Sequence, residues 1–182
     1  MYTLTIPDRE YWDEENERFV YIKGGTIHLE HSLISLSKWE AKHKKYLIGN
    51  PEITGAEFID YIKCMTLDKN VPDALYFGID QKIIDEVKSY MDDPMTATWF
   101  SDKNKKQPPS REKITNELIY YWLVACQIPF VPCERWHINH LLTLIEVYNH
   151  KNQQPKKRSA KEIAASRRSL NAARKSKLGT KG

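Results

Sequence analysis

From residue 151 to the end, the chain carries eleven lysines and arginines against one acid, Glu162, set among alanines and serines. The other 150 residues carry seventeen basic and twenty-three acidic side chains. The formal charge of +4 is therefore the sum of a −6 body and a +10 end. That asymmetry constrains folding before any motif is considered. A cationic segment with so few large apolar residues cannot bury enough surface to order itself alone. The core must be built from the first 150 residues, where all of the five Trp, ten Tyr and five Phe lie. The size, 182 residues, suits one domain with an appendage.

The body opens with β-type sequence. "YTLTI" alternates and then meets Pro7. "RFVYIKGGTIHLEH" reads as two β-rich runs around Gly24-Gly25, a pair that suits a hairpin turn. After His31 the pattern becomes helical. "SLISLSKWEAKHKKYL" places Leu33, Leu36, Trp39 and Tyr46 at mostly helical spacing, with Ser35 or Ser37 as the cap. Thr54 and Glu57 have the spacing of a capping box, followed by the stripe Phe58, Tyr61, Ile62 and Met65. "DQKIIDEVKSYM" is a shorter amphipathic helix that Asp93-Pro94 should stop. "MTATWF" is short and β-prone, and "SDKNKKQPPS" reads as a polar loop.

Two longer helices follow. Ser110 is positioned to cap "REKITNELIYYWLVACQ", with Ile114, Leu118, Tyr121, Trp122 and Ala125 as its expected buried face. After the break at "IPFVP", a second helix carries Ile138, Leu141, Leu142, Ile145 and Tyr148. A short Pro-bounded connection between amphipathic helices predicts an αα-hairpin. The expected fold is α+β and mainly helical: an N-terminal β region over residues 1–31, a helical domain over 32–152 centred on that hairpin, and a basic helical tail over 153–182.

Chemistry-bearing clusters are sparse. Cys133, His137 and His140 fall on one side of a helix, and a fourth metal ligand would have to come from Cys126, His28, His31 or His150. Paired Cys-x-x-Cys or His-x-x-x-His spacing is missing, so a buried thiol and two packed or surface imidazoles account for the set without a metal. Cys133 follows Pro132 near a helix start, which could lower a thiol pKa, but no protease-type context surrounds it. No nucleophile elbow or phosphate-cradling glycine loop is present, and no cofactor is called for. The sequence reads as a non-enzymatic protein. The odd cysteine count, Cys64, Cys126 and Cys133, suits a reducing compartment. The N-terminus lacks the layout of a signal peptide, and no apolar run is long enough for a membrane span.

Arg135, Trp136, His137 and His140, with Tyr120, Tyr121 and Trp122, could stack bases, although helical spacing makes them core material first. In the tail, Ser159 and Glu162 have capping-box spacing, and Ile163 and Leu170 stand seven residues apart. One thin apolar stripe on a cationic helix suits a shallow groove on a protein partner. Ile163 and Leu170 would supply the apolar contact, and Arg167, Arg168, Arg174 and Lys175 would answer acids. The same helix could follow a phosphate backbone, but the acidic body argues against nucleic acid.

The ordered string "HSLISLSKWE", "DYIKCMTL", "PMTATWF", "REKITNELIYYW", "IPF", "RWHINHLLTLI", "KNQQPKK" and "SLNAARK" resembles the tail assembly chaperones of long-tailed bacteriophages, over most of residues 31–182. The resemblance implies a protein of the host cell cytoplasm that binds the tape-measure protein and keeps it soluble while the tail tube polymerises. It implies no catalytic residues. Self-association or contact with a tail-tube protein would fit the same role. A structural component of the tail or neck is the principal alternative, and a nucleic-acid-binding protein acting through the basic tail is the second.

Overall fold

The computed structural model describes residues 1–14, 16–98, 112–152 and 160–179. They divide into two compact units, Met1–Asn149 and His150–Gly182. The fold is α+β: a small antiparallel β region followed by helices.

Four strands open the first unit: β1 (Tyr2–Ile6), β2 (Arg9–Asp13), β3 (Arg18–Ile22) and β4 (Gly25–Leu29). The glycine pair is not a hairpin turn. β3 pairs with β2, and β4 returns to β1. In β1/β4 the partners run from Tyr2↔Leu29 to Ile6↔Gly25, and in β2/β3 from Arg9↔Ile22 to Asp13↔Arg18. Both ladders share one register. They form a single long ribbon, turned after β2 and interrupted where Pro7 and Asp8 stand across from Gly24 and Lys23. Proline has no N–H for a ladder, and its ring needs room. Gly24 supplies the room: a Cβ there would sit 2.2 Å from the Ile6 carbonyl oxygen and 2.5 Å from the Pro7 carbonyl carbon. Its N–H donates to Asp8 Oδ1 (2.7 Å), and Tyr21 donates its hydroxyl to Asp8 Oδ2 (2.6 Å).

The ribbon twists at this break. Ile6 and Ile22 would lie on opposite faces of an uninterrupted ladder, yet a methyl of each lies within 4 Å of where Gly78 would carry a Cβ. The inner half therefore buries Leu4, Ile6, Ile27 and Leu29. Arg9 is tied to Asp80 at the base of the outer half.

The first helix, α1 (Leu33–His43), is capped by Ser32, whose hydroxyl accepts the Ser35 N–H. The expected caps, Ser35 and Ser37, lie inside the helix, and Tyr46 lies beyond its end. α1 is the most enclosed helix: Leu33, Leu36 and Trp39 are fully buried, and the Trp39 indole donates to the Glu57 carbonyl (2.8 Å). It packs on α2 (Gly55–Met65), which starts with the capping box read from the sequence. The short α3 (Asp73–Tyr76) leads to α4 (Gln81–Asp92), capped by Asp80 and ended at Asp93. Residues 95–98 of the β-prone "MTATWF" form no strand. The polar loop and the Ser110 cap fall outside the described residues.

α5 (Asn116–Ala125) starts later than expected, at a Thr115 cap. Its buried face is Asn116, Ile119 and Leu123, not the Ile114, Leu118, Tyr121, Trp122 and Ala125 set; Tyr121 and Ala125 are exposed. "NELIYYWLVA" is apolar almost all round, so its spacing does not say which side is buried. α6 (Phe130–Cys133) is one turn, and α7 (Ile138–Asn152) buries Ile138, Leu141 and Ile145. α1 also packs on α5. The second unit carries α8 (Ala160–Leu178).

Candidate partner-binding surfaces

The tail residues singled out from sequence all lie on α8, and all are exposed. At about 100° per residue, Ile163, Arg167, Leu170 and Arg174 fall within roughly 60° of one another. Arg168 and Lys175 point about 120–140° away from Ile163. The helix thus groups two of the four cations with the apolar pair and sets the other two on a separate face. Ile163 is 39% exposed and Leu170 53%. The Ser159/Glu162 capping box lies outside the described residues and side chains.

A second exposed apolar surface was not singled out in the sequence. On the outer ribbon Trp12 is 49% exposed, Phe19 71% and Tyr21 58%, and Tyr11 is also exposed. Trp12 and Phe19 are cross-strand partners and meet edge to face, with centroids 5.0 Å apart. Register puts Glu10, Trp12, Phe19 and Tyr21 on one face and Tyr11 and Val20 on the other. The first face is apolar apart from Glu10 and stands exposed, whereas the second sets Tyr11 and Val20 between Arg9 and Arg18; a solvated hairpin normally keeps such a mixed or polar face outward and an apolar one covered. The available signal was the run Phe19-Val20-Tyr21-Ile22 with no polar member, opposite Tyr11-Trp12. A third feature is a groove of about 240 Å³ between α5 and α7, lined by Trp122, Ala125 and Cys126 on one side and Leu142, Ile145 and Glu146 on the other.

The Cys/His set is not assembled as a metal centre. Cys133 is buried in the core, and His140 is exposed with Nδ1 3.1 Å from the Met95 carbonyl. His137 is buried, and its ring meets His31 and Tyr90 edge to face, each at 5.1 Å. Its Nδ1 accepts the Asn139 N–H (3.3 Å), so Nε2 carries the proton that faces the Tyr90 carbonyl (3.3 Å). No group of three or more His, Cys, Asp or Glu among the described residues could hold a metal. Of the base-stacking set, Tyr121 and Arg135 are exposed. Trp136 is half-buried against His140, and Tyr120 half-buried against Phe130.

Around His31 the interior is polar but fully bonded. Tyr61 donates its hydroxyl to His31 Nδ1 (2.6 Å), the His31 N–H donates to the Tyr90 oxygen (3.3 Å), and Tyr90 donates to Glu30 Oε1 (2.8 Å). Burial pushes His31 down to about 3, with His137 adding to the shift. Burial likewise lowers His137, against the opposing bond to the Tyr90 carbonyl. Burial raises the Tyr61 phenol well above its usual range, so it stays a donor. These are packed neutral groups that join α1, α2, α4 and the start of α7. Cys126 and Cys133 are buried and Cys64 is half-buried; all three are free thiols.

No helix among the described residues is long and apolar enough to cross a membrane. Comparison with protein-family models, curated proteins and solved structures found no match.

Proposed function

We propose that this chain is a phage tail assembly chaperone that binds the tape-measure protein in the host cytoplasm and keeps it soluble until the tail tube encloses it. The observation that carries the reading is the display of large apolar side chains on outward-facing elements. Trp12, Phe19 and Tyr21 stand out on the ribbon, and Ile163 and Leu170 stand out beside arginines on α8. Exposed apolar patches of this kind mark contact with another polypeptide. A long helical client exposes apolar stripes before assembly. A holdase must cover them weakly and many times over, so that polymerising subunits can displace it. The resemblance over residues 31–182 supports the same role, and no step of it requires bond-making.

Co-expression with the tape-measure protein of the same phage tests the proposal. The client should stay soluble and co-purify with this chain, and purified virions should lack the chain by mass spectrometry. An insoluble client in the presence of this chain refutes it. The outer edges of β2 and β3, which pair with no further strand among the described residues, favour one other reading, a structural tail component. Stoichiometric presence in virions would establish that reading in its place.

A further inference from the structure

The aromatic face of the outer ribbon is also its acidic face. Glu10 completes the patch formed by Trp12, Phe19 and Tyr21 and is exposed beside them. The two cations of these strands, Arg9 and Arg18, fall on the Tyr11 and Val20 face, and Arg9 is already tied to Asp80. At the far end, the turn that joins β2 to β3 displays Glu14 and Glu17, both exposed. Over residues 8–17 the chain carries six acids and one base. Aromatic rings present negative faces, and carboxylates at the two ends of the patch add to that potential. The patch is therefore suited to a partner that brings apolar side chains and guanidinium groups together.

α8 brings that combination. Ile163 and Leu170 stand on one side of it with Arg167 and Arg174, and all four are exposed. Arg167 and Arg174 are about 10 Å apart along the helix axis. From Glu10 to the end of β2 at Asp13 is also about 10 Å. A helix laid along β2 and β3 can thus set Ile163 and Leu170 on the Trp12, Phe19 and Tyr21 side chains, while one arginine reaches Glu10 and the other reaches the acidic turn. The guanidinium plane adds stacking on the Trp and Tyr rings, which a lysine would not supply as well.

We propose that α8 of one copy docks on the Trp12, Phe19 and Tyr21 face of a second copy, with Arg167 and Arg174 against Glu10 and the acids of the β2/β3 turn. The contact is heterologous: each copy offers one ribbon and one tail, and copies join ribbon to tail. It concerns the chain without a client and stands apart from the chaperone reading. A client that covered either surface would displace it.

The test is sedimentation velocity of the full chain, freed of nucleic acid, over a concentration series at low and high salt. The wild type should associate, and less so at high salt. Glu10→Lys in one variant, and Arg167→Glu with Arg174→Glu in another, should each weaken association about tenfold by setting like charges together. These positions are exposed, so the exchanges leave the core untouched. An equimolar mixture of the two variants should associate as the wild type does. In it the reversed ribbon of one variant matches the reversed tail of the other, and the unaltered tail matches the unaltered ribbon. A wild-type monomer at every concentration overturns the proposal. So does association that responds to the tail variant and ignores Glu10→Lys, which would seat α8 on another surface. A mixture that associates no better than its components overturns it as well.

Discussion

Acidification should destabilise the body through His31 before carboxylates begin to titrate. In the folded chain His31 is buried and stays neutral until about pH 3, because ionising it means charging an imidazole beside His137 in the protein interior. In the unfolded chain it takes up its proton near the ordinary histidine value of about 6.5. The folded pKa is the lower one. The unfolded state therefore binds more protons below about pH 6.5, and stability falls as pH falls through that window. The loss stops only near pH 3, where the folded form also protonates. At pH 5 the unfolded His31 gains about 1.5 decades of proton binding that the folded state cannot match, or about 2 kcal/mol. His137 shifts in the same direction and adds to the effect.

Urea unfolding followed by tryptophan fluorescence at pH 7.5, 6.5, 5.5 and 5.0 measures this directly. Most carboxylates keep their charge over that range, so its slope reports mainly histidines. His31→Gln provides the control. It should be less stable at pH 7.5, because the Tyr61 bond is disturbed, but should lose about 2 kcal/mol less than wild type on going to pH 5. Equal losses in the two proteins would show that His31 does not need to be neutral in the fold, and would refute the buried-network account.

Gly24→Ala should cost at least about 2 kcal/mol and reduce the near-ultraviolet signal of Trp12, because backbone atoms of Ile6, Pro7 and Asp8 occupy the space a Cβ needs and cannot rotate away. Glu40 is buried, and its carboxylate accepts the Leu47 N–H at one oxygen and the Asn116 backbone and side-chain N–H groups at the other. Glu40→Gln turns an amide donor toward one of these clusters and should cost about 2–4 kcal/mol in urea unfolding, with α5 fraying first. A chain ending at Asn152 should melt cooperatively at nearly the wild-type Tm, since the core closes within Met1–Asn149; a broad, early transition would contradict this.

Where the sequence was legible, a single local rule decided the outcome. The Thr54/Glu57 capping box, the Asp93-Pro94 stop and, of the expected α7 stripe, Ile138, Leu141 and Ile145 depend on residues within a turn or two of each other, whereas Leu142 is half-buried and Tyr148 exposed. Illegible elements depended on distant partners or on a choice between equals. Ser32, Ser35 and Ser37 are chemically alike, and only the backbone turn after His31 selects Ser32 as the cap. α5 has apolar residues on nearly every side, so tertiary contact with α1 selected Ile119 and Leu123. Gly24-Gly25 carries the composition of a turn. The deciding fact is the need of Pro7 for an opposing residue without a side chain, a need expressed seventeen positions away. The tail helix was legible from composition, but the division of its cations into two faces follows only from their phase around α8.

The ribbon break explains how one hairpin serves two ends. Without it, the face that buries Leu4, Ile6, Ile27 and Leu29 would continue as the face bearing Trp12, Phe19 and Tyr21. All of these residues would then compete for the same core. Pro7 opposite Gly24 interrupts the ladder, and the twist there brings Ile22 from the other face to Gly78 beside Ile6. Arg9 bonded to Asp80, with Tyr21 and Gly24 bonded to Asp8, fixes the outer half at its base. The aromatic residues are thereby held outward by the fold and not left exposed by a failure of packing. A surface arranged in this way loses little conformational entropy when a partner covers it, because its backbone is already ordered. Relaxing the break should therefore weaken partner binding even where every aromatic side chain is kept.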